Sequence, residues 1–162
     1  MSRRQELATS VLAMAKSRGL TIATAESCTG GWIGKSLTDP AGASCVYAGG
    51  AVTYSNAAKM RMLGVPKAAF EDGAVSEPVA LAMADGIRSA LKTSMAISVT
   101  GIAGPAGGSA DKPVGTVWFA LAQDGMPTIA RLQMLKDKGR DSVRKQAVVY
   151  ALEWLNTALT QA

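Results

Sequence analysis

Residues Thr21 to Gly31 read TIATAESCTGG, and the order of side chains in that stretch decides how the chain is built. With Gly19 and Leu20 before it, the first half (GLTIATA) is rich in β-branched and small apolar residues, which predicts a strand started at Gly19. The second half runs from Glu26 into Ser27, Cys28, Thr29 and the pair Gly30-Gly31. It opens a helix through GGWIGKSLTD that must stop before Pro40. A strand passing into a helix is half of an α/β unit. Three nucleophilic side chains against a glycine pair leave three readings open here: a phosphate cradle, a nucleophile on a turn, or a helix cap.

Outward from this junction the same alternation continues. Residues 4–18 read as a helix, with Leu7, Val11, Leu12 and Met14 supplying its apolar side. Downstream, CVYAGGAVTYS reads as a second strand whose glycines mark a bulge or a close backbone contact. NAAKMRMLG reads as a short helix capped by Ser55 and stopped by Gly64. Ser76 caps a further helix that tolerates Pro78 in its first turn and runs to about Lys92. SMAISVTG is a buried strand leading into the glycine-dense loop IAGPAGGSADKP. VGTVWFALA and TIARLQML are two strands joined at QDGMP, where Asp124-Gly125 signals a hairpin. A last helix occupies about Asp141 to Thr160. Strands separated by helices, then one hairpin, imply a three-layer α/β domain with a mixed sheet. No repeat, low-complexity segment or linker interrupts it, so residues 1–162 read as one domain.

Composition narrows the chemistry. The chain is 48% hydrophobic but only 5% aromatic, so its core is built from Ala, Val, Leu, Ile and Met. No window of about 18 uninterrupted apolar residues exists, and the amphipathic N-terminus lacks a signal-peptide cleavage site; a cytoplasmic protein with no membrane partner is expected. Cys28 and Cys45 make no disulfide framework and lack metal-ligand spacing. There is no histidine. That excludes a Ser-His-Asp triad, a Cys-His dyad and a His-bearing zinc site, so any base comes from Lys, Asp, Glu, Tyr or a terminal amine. The net charge of +5 suits an anionic ligand. Its dispersal and the scarcity of aromatic residues argue against a nucleic-acid surface.

In an open α/β sheet, ligands favour the crevice beyond the carboxyl ends of the strands. Glu26–Gly31, Thr53–Lys59 (TYSNAAK) and Thr100–Gly108 would all end there. Ser27 at a strand-to-helix junction projects as a nucleophile, or serves as a cap or turn residue. Without histidine its base would be a lysine of lowered pKa. Lys59 lies about one turn past the Ser55 cap, where the positive helix end and burial would disfavour its ammonium form; the alternative is a solvated helix charge. Tyr54 would orient that amine, relay a proton, or only pack. Cys28 is either a small core residue or a reactive thiol. Thr100, Gly101, Gly104, Gly107 and Gly108 form a ligand loop or an irregular structural one. Arg140 and Arg144, four apart, share a helix face that would bind a phosphate or stand solvated.

Together the segments TAESCTGG, GGAVTYSNAAKMRMLGV, GAVSEPVALAMA, SVTGIAGPAGGSADKPVGTVWFA and GRDSVRKQAVVYAL closely resemble the C-terminal domain of the competence/damage-inducible protein CinA. That family includes stand-alone nicotinamide-nucleotide amidohydrolases. The resemblance runs in order along nearly the whole chain, without the larger N-terminal domain of full-length members. It implies a three-layer α/β/α sandwich with a mixed, mainly parallel sheet of about five strands, assembled as a dimer or larger homo-oligomer. It also implies deamidation of nicotinamide mononucleotide to nicotinate mononucleotide and ammonia, within pyridine-nucleotide salvage, with no cofactor and no metal. The nucleophile would fall on Ser27, its base on Lys59 with Tyr54 nearby, and substrate contacts on Cys28, Thr29, Gly30, Gly31, Thr100, Gly101, Gly104, Arg140 and Arg144. A non-catalytic nucleotide-binding or regulatory module, tied to the competence and DNA-damage name, is the rival reading. Many relatives carry G-D-R before the last helix, where this chain has Lys138-Gly139-Arg140. The departure falls on the loop that carries Arg140 and leaves Arg144 in the family pattern.

Overall fold

A computed structural model of the chain describes residues 1–161. Ten main elements follow one another: α1 (Arg3–Ser17), β1 (Ile22–Glu26), α2 (Trp32–Thr38), β2 (Tyr47–Val52), α3 (Asn56–Leu63), α4 (Glu77–Leu91), β3 (Met95–Gly101), β4 (Thr116–Gln123), β5 (Ile129–Met134) and α5 (Arg140–Gln161). Two short 3₁₀ turns, Ala43–Cys45 and Lys67–Phe70, lack the apolar periodicity that would announce them. The five strands form one sheet in the order β2-β1-β3-β4-β5. β2, β1 and β3 run parallel, and β3–β4 and β4–β5 are antiparallel, so the sheet is mixed around a parallel core.

Strand alternation sorts side chains by size. One face carries Ile22, Met95, Ile97, Val99, Val117, Phe119 and Leu121, packed with α1, α2 and α5. The other carries Ala23, Ala25, Ala51, Ala96, Ala120 and Ala122 against α3 and α4. Burying each large side chain on the first face contributes about 1.5–3 kcal/mol, so that layer anchors the sheet. The alanine face instead lets α4 sit close, near enough for the Ser98 hydroxyl to donate to the Ala80 carbonyl at 2.7 Å.

Local expectations are met with instructive differences. Ser55 caps α3 by accepting from Ala58 N at 3.0 Å, and Gly64 ends it. The glycines of β2 provide both a bulge and a close contact. The register skips from Ile22↔Tyr47 to Ala23↔Gly49, and a Cβ on Gly50 would meet Thr24 Oγ1 at 2.2 Å. Ser76 takes the cap position of α4 but gives no side-chain cap; its hydroxyl turns back to the Gly73 carbonyl at 2.9 Å. Gly30 and Gly31 lie outside α2, which starts at Trp32.

The ladder aligns the carboxyl ends of the three parallel strands. Glu26 pairs with Val52 on one side and Val99 on the other. The pairing runs one residue further, since Ser27 N donates to Val99 O at 3.0 Å and Thr53 N to Glu26 O at 2.9 Å. The loops after β1, β2 and β3 therefore open into one crevice.

Candidate active site

The crevice is a cavity of about 240 Å³ whose walls include Ser27, Cys28, Tyr54, Lys59, Thr100, Gly101, Gly104 and Arg140. Ser27 enters from the end of β1, and Lys59 reaches it from the first turn and a half of α3. Lys59 Nζ stands 2.9 Å from Ser27 Oγ, 2.8 Å from the Thr53 carbonyl and 3.3 Å from the Tyr54 carbonyl. The lysine is only 1% exposed and has no carboxylate partner in the described residues. Burial therefore holds its pKa below the ordinary lysine value. Its three partners are all oxygens, two carbonyls and the Ser27 hydroxyl. Once the amine is neutral, two N–H groups can serve the carbonyls and leave the lone pair for the serine proton.

Cys28 belongs to the apolar core as well as the cavity wall. Burial pushes its thiol up to about 12, so at neutral pH it is a protonated thiol with little nucleophilic character. Thr100 lines the cavity, and its hydroxyl donates to the Ala74 carbonyl at 3.0 Å, tying the end of β3 to the segment before α4. Gly104, followed by a cis bond to Pro105, presents its carbonyl to Arg140 NH1 at 2.7 Å. Among the described residues no group of three or more His, Cys, Asp or Glu is placed to hold a metal ion. No helix among them is long and apolar enough to cross a membrane.

This fold and crevice can be set against known proteins. The chain matches the CinA C-terminal domain family over residues 4–159. It belongs to that family. It is 52% identical over 141 residues to the nicotinamide-nucleotide amidohydrolase PncC of Escherichia coli K12, covering 86% of this chain and 85% of that protein. A CinA-like protein of Geobacter sulfurreducens is 49% identical over 155 residues, which are 95% of this chain but 37% of that longer protein. The crystal structure of a competence/damage inducible protein, CihA, from Agrobacterium tumefaciens superposes with a TM-score of 0.94 at 43% identity, covering 99% of this chain and 97% of that one.

Within this CinA-type domain the two arginines part company. Arg140, at the start of α5, lines the cavity, and its NH2 donates to the Tyr54 hydroxyl at 2.9 Å. Arg144 does not line it. One helical turn on, its Nε and NH2 donate to the carbonyls of Cys28 and Thr29 at 3.1 and 3.3 Å, and its guanidinium stands 5.7 Å from the Trp32 ring centroid. The two do not share the cavity wall, since Arg144 is turned to the backbone of the Ser27 turn. Tyr54, an exposed residue, meets Lys59 through its main-chain carbonyl, while its phenol hydroxyl accepts from Arg140. Thr29, Gly30 and Gly31 shape the turn without lining the cavity; the two glycines hold φ of 61° and 97°, a region side chains avoid.

The sequence reading gave no role to Glu26. It is 1% exposed, and its side chain accepts from Thr29 Oγ1 at 2.6 Å, Ile33 N at 2.8 Å and Gly34 N at 3.0 Å. It thus supplies the cap that Gly31 lacks at the start of α2. The available signal was an acid shortly before a helix whose cap position is a glycine.

Proposed function

We propose that this protein hydrolyses the carboxamide of nicotinamide mononucleotide, giving nicotinate mononucleotide and ammonia. The observation that carries the reading is the buried, carboxylate-free Lys59 amine 2.9 Å from Ser27 Oγ at the cavity. The amidohydrolase name of its half-identical relatives supports the same reaction class.

In this reading Ser27 Oγ attacks the carboxamide carbon as Lys59 accepts the hydroxyl proton. The C–N bond of the tetrahedral intermediate breaks, and the Lys59 ammonium returns its proton to the departing nitrogen as ammonia. Neutral Lys59 then takes a proton from water, whose oxygen adds to the acyl ester; collapse releases the acid and protonates Ser27. The Cys28 amide, next to the nucleophile, meets the oxyanion. Arg140, with its guanidinium at the cavity wall, takes the phosphate by charge-assisted hydrogen bonds. Thr100, Gly101 and Gly104 form the wall against which the nucleoside lies. A cytoplasmic site of action fits two cysteines that are both free. Assembly as a homo-oligomer fits the exposed Leu132 and Met134, two residues apart on one face of edge strand β5.

The test is ammonia release from nicotinamide mononucleotide by wild type beside Ser27→Ala. Release that the variant loses supports the reading. Ligand-induced thermal stabilisation of wild type without any release would replace it with the nucleotide-binding module.

A further inference from the structure

The turn between β1 and α2 is held from two sides by groups that lie outside the chemistry just described. From within, Glu26 reaches across the turn that follows it, accepting from Thr29 Oγ1 and from the first amides of α2. This closes residues 26 to 34 into a ring of hydrogen bonds with Ser27 at its start. From outside, Arg144 takes the carbonyls of Cys28 and Thr29. The Ser27 carbonyl accepts from Gly30 N at 3.1 Å, so the three consecutive carbonyls after the strand are all engaged.

Those engagements fix where the amides point. In a trans peptide the C=O and N–H of one unit point in opposite directions. With the Ser27 carbonyl tied to Gly30, the Cys28 N–H faces the other way, and it makes no hydrogen bond to another residue among the described residues. Cys28 lines the cavity. If Arg144 let go, the Thr29 carbonyl would keep the Trp32 amide at 3.2 Å. The Cys28 carbonyl would lose its partner, leaving the Cys28–Thr29 peptide free to rotate and carry the Thr29 amide with it. The backbone of Glu26 extends the frame to the base, because its carbonyl accepts from Thr53 N and the Thr53 carbonyl holds Lys59.

We propose that Glu26 and Arg144 form an acid–arginine clamp that preorganises the Ser27 turn, acting as positioning residues that never touch substrate. This rests on the amidohydrolase reading, with Ser27 as nucleophile. It assigns Arg144 an effect on turnover, where a phosphate ligand would act on substrate affinity.

The experiment compares Glu26→Gln and Arg144→Met with Arg140→Met, using nicotinamide mononucleotide turnover and, separately, the rate at which a fluorophosphonate labels Ser27. Gln puts an NH2 where the carboxylate met a donor, and Met keeps an apolar stem beside Trp32 while deleting both donors. The clamp predicts a fall in kcat of about 10²-fold for the first two with KM within about twofold, because small misplacement of a reacting group costs that much. Labelling of Ser27 slows in parallel. For Arg140→Met the rise is in KM. A folded Glu26→Gln or Arg144→Met with wild-type kcat overturns the clamp, as does a rise in KM alone. A lower fraction of active sites that label at the wild-type rate overturns it too, since that is a stability effect. Should Glu26→Gln not fold, Thr29→Val removes one donor to the same carboxylate, and unchanged labelling there is equally fatal. Ser27 labelling in a wild type that releases no ammonia would instead sink the amidohydrolase reading, and the variants' labelling rates would still decide the clamp.

Discussion

Lys59 Nζ and Ser27 Oγ stand 2.9 Å apart across 32 residues of chain, one on the first turns of α3 and the other just past β1. Because burial depresses the lysine pKa, the pair has a direct pH signature. Below that pKa Lys59 is an ammonium without a lone pair; above it the amine accepts the serine proton. kcat/KM should rise with pH through a single limb, centred below the ordinary lysine value of about 10.4, and then level off. Lys59→Arg keeps its proton throughout and should lose about 10²–10⁴-fold. A pH profile flat from 6 to about 10 would remove Lys59 as the base.

Tyr54 separates two roles by where its phenol points. The hydroxyl accepts from Arg140 and only the main-chain carbonyl meets Lys59. Tyr54→Phe should therefore keep kcat within about threefold and raise KM, because Arg140 loses its orienting partner. Steady-state kinetics on nicotinamide mononucleotide check this. A large kcat loss at unchanged KM would make the phenol a proton relay.

The two cysteines should behave oppositely. Cys28 is buried with its thiol pushed up to about 12, whereas Cys45 is exposed. A thiol reagent at pH 8 should titrate one group in the native protein and two after denaturation. Cys28→Ala should retain turnover, at a stability cost of about 1 kcal/mol for the lost core sulfur. Two native thiols reacting at comparable rates would contradict the burial.

Much of this site was readable from local pattern. A β-branched run ending at a glycine pair announced β1 and the turn, and Ser55 with Gly64 bounded the helix that delivers Lys59. What local pattern does not carry is direction across the sheet. Arg140 and Arg144 are one helical turn apart and look equivalent in sequence, yet about 6 Å of axial displacement sends one to the cavity and the other beneath the turn. Glu26 is hidden for a related reason. It sits at the end of a strand, and its three donors are visible only once the chain has folded back over it. Thr100 is of the same kind: its hydroxyl reaches Ala74, 26 residues away.

Gly86 tests how the second helical layer is packed, and here general propensity and specific contact give opposite signs. In the interior of α4 a Gly→Ala change ordinarily stabilises by about 1 kcal/mol. A Cβ at Gly86, however, would lie 2.0 Å from the Leu63 carbonyl oxygen, at the end of α3, and a backbone atom cannot swing aside like a side chain. Relief requires α3 and α4 to separate, and overpacking of this kind costs about 1–3 kcal/mol. Gly86→Ala should thus lower Tm, by about 2–4 °C per kcal/mol at this chain length. Because α3 carries Lys59, turnover should fall as well, beyond what the loss of folded protein explains. Thermal unfolding and kcat on the same preparation decide it: an unchanged or raised Tm would mean that α3 does not press on α4 at this point.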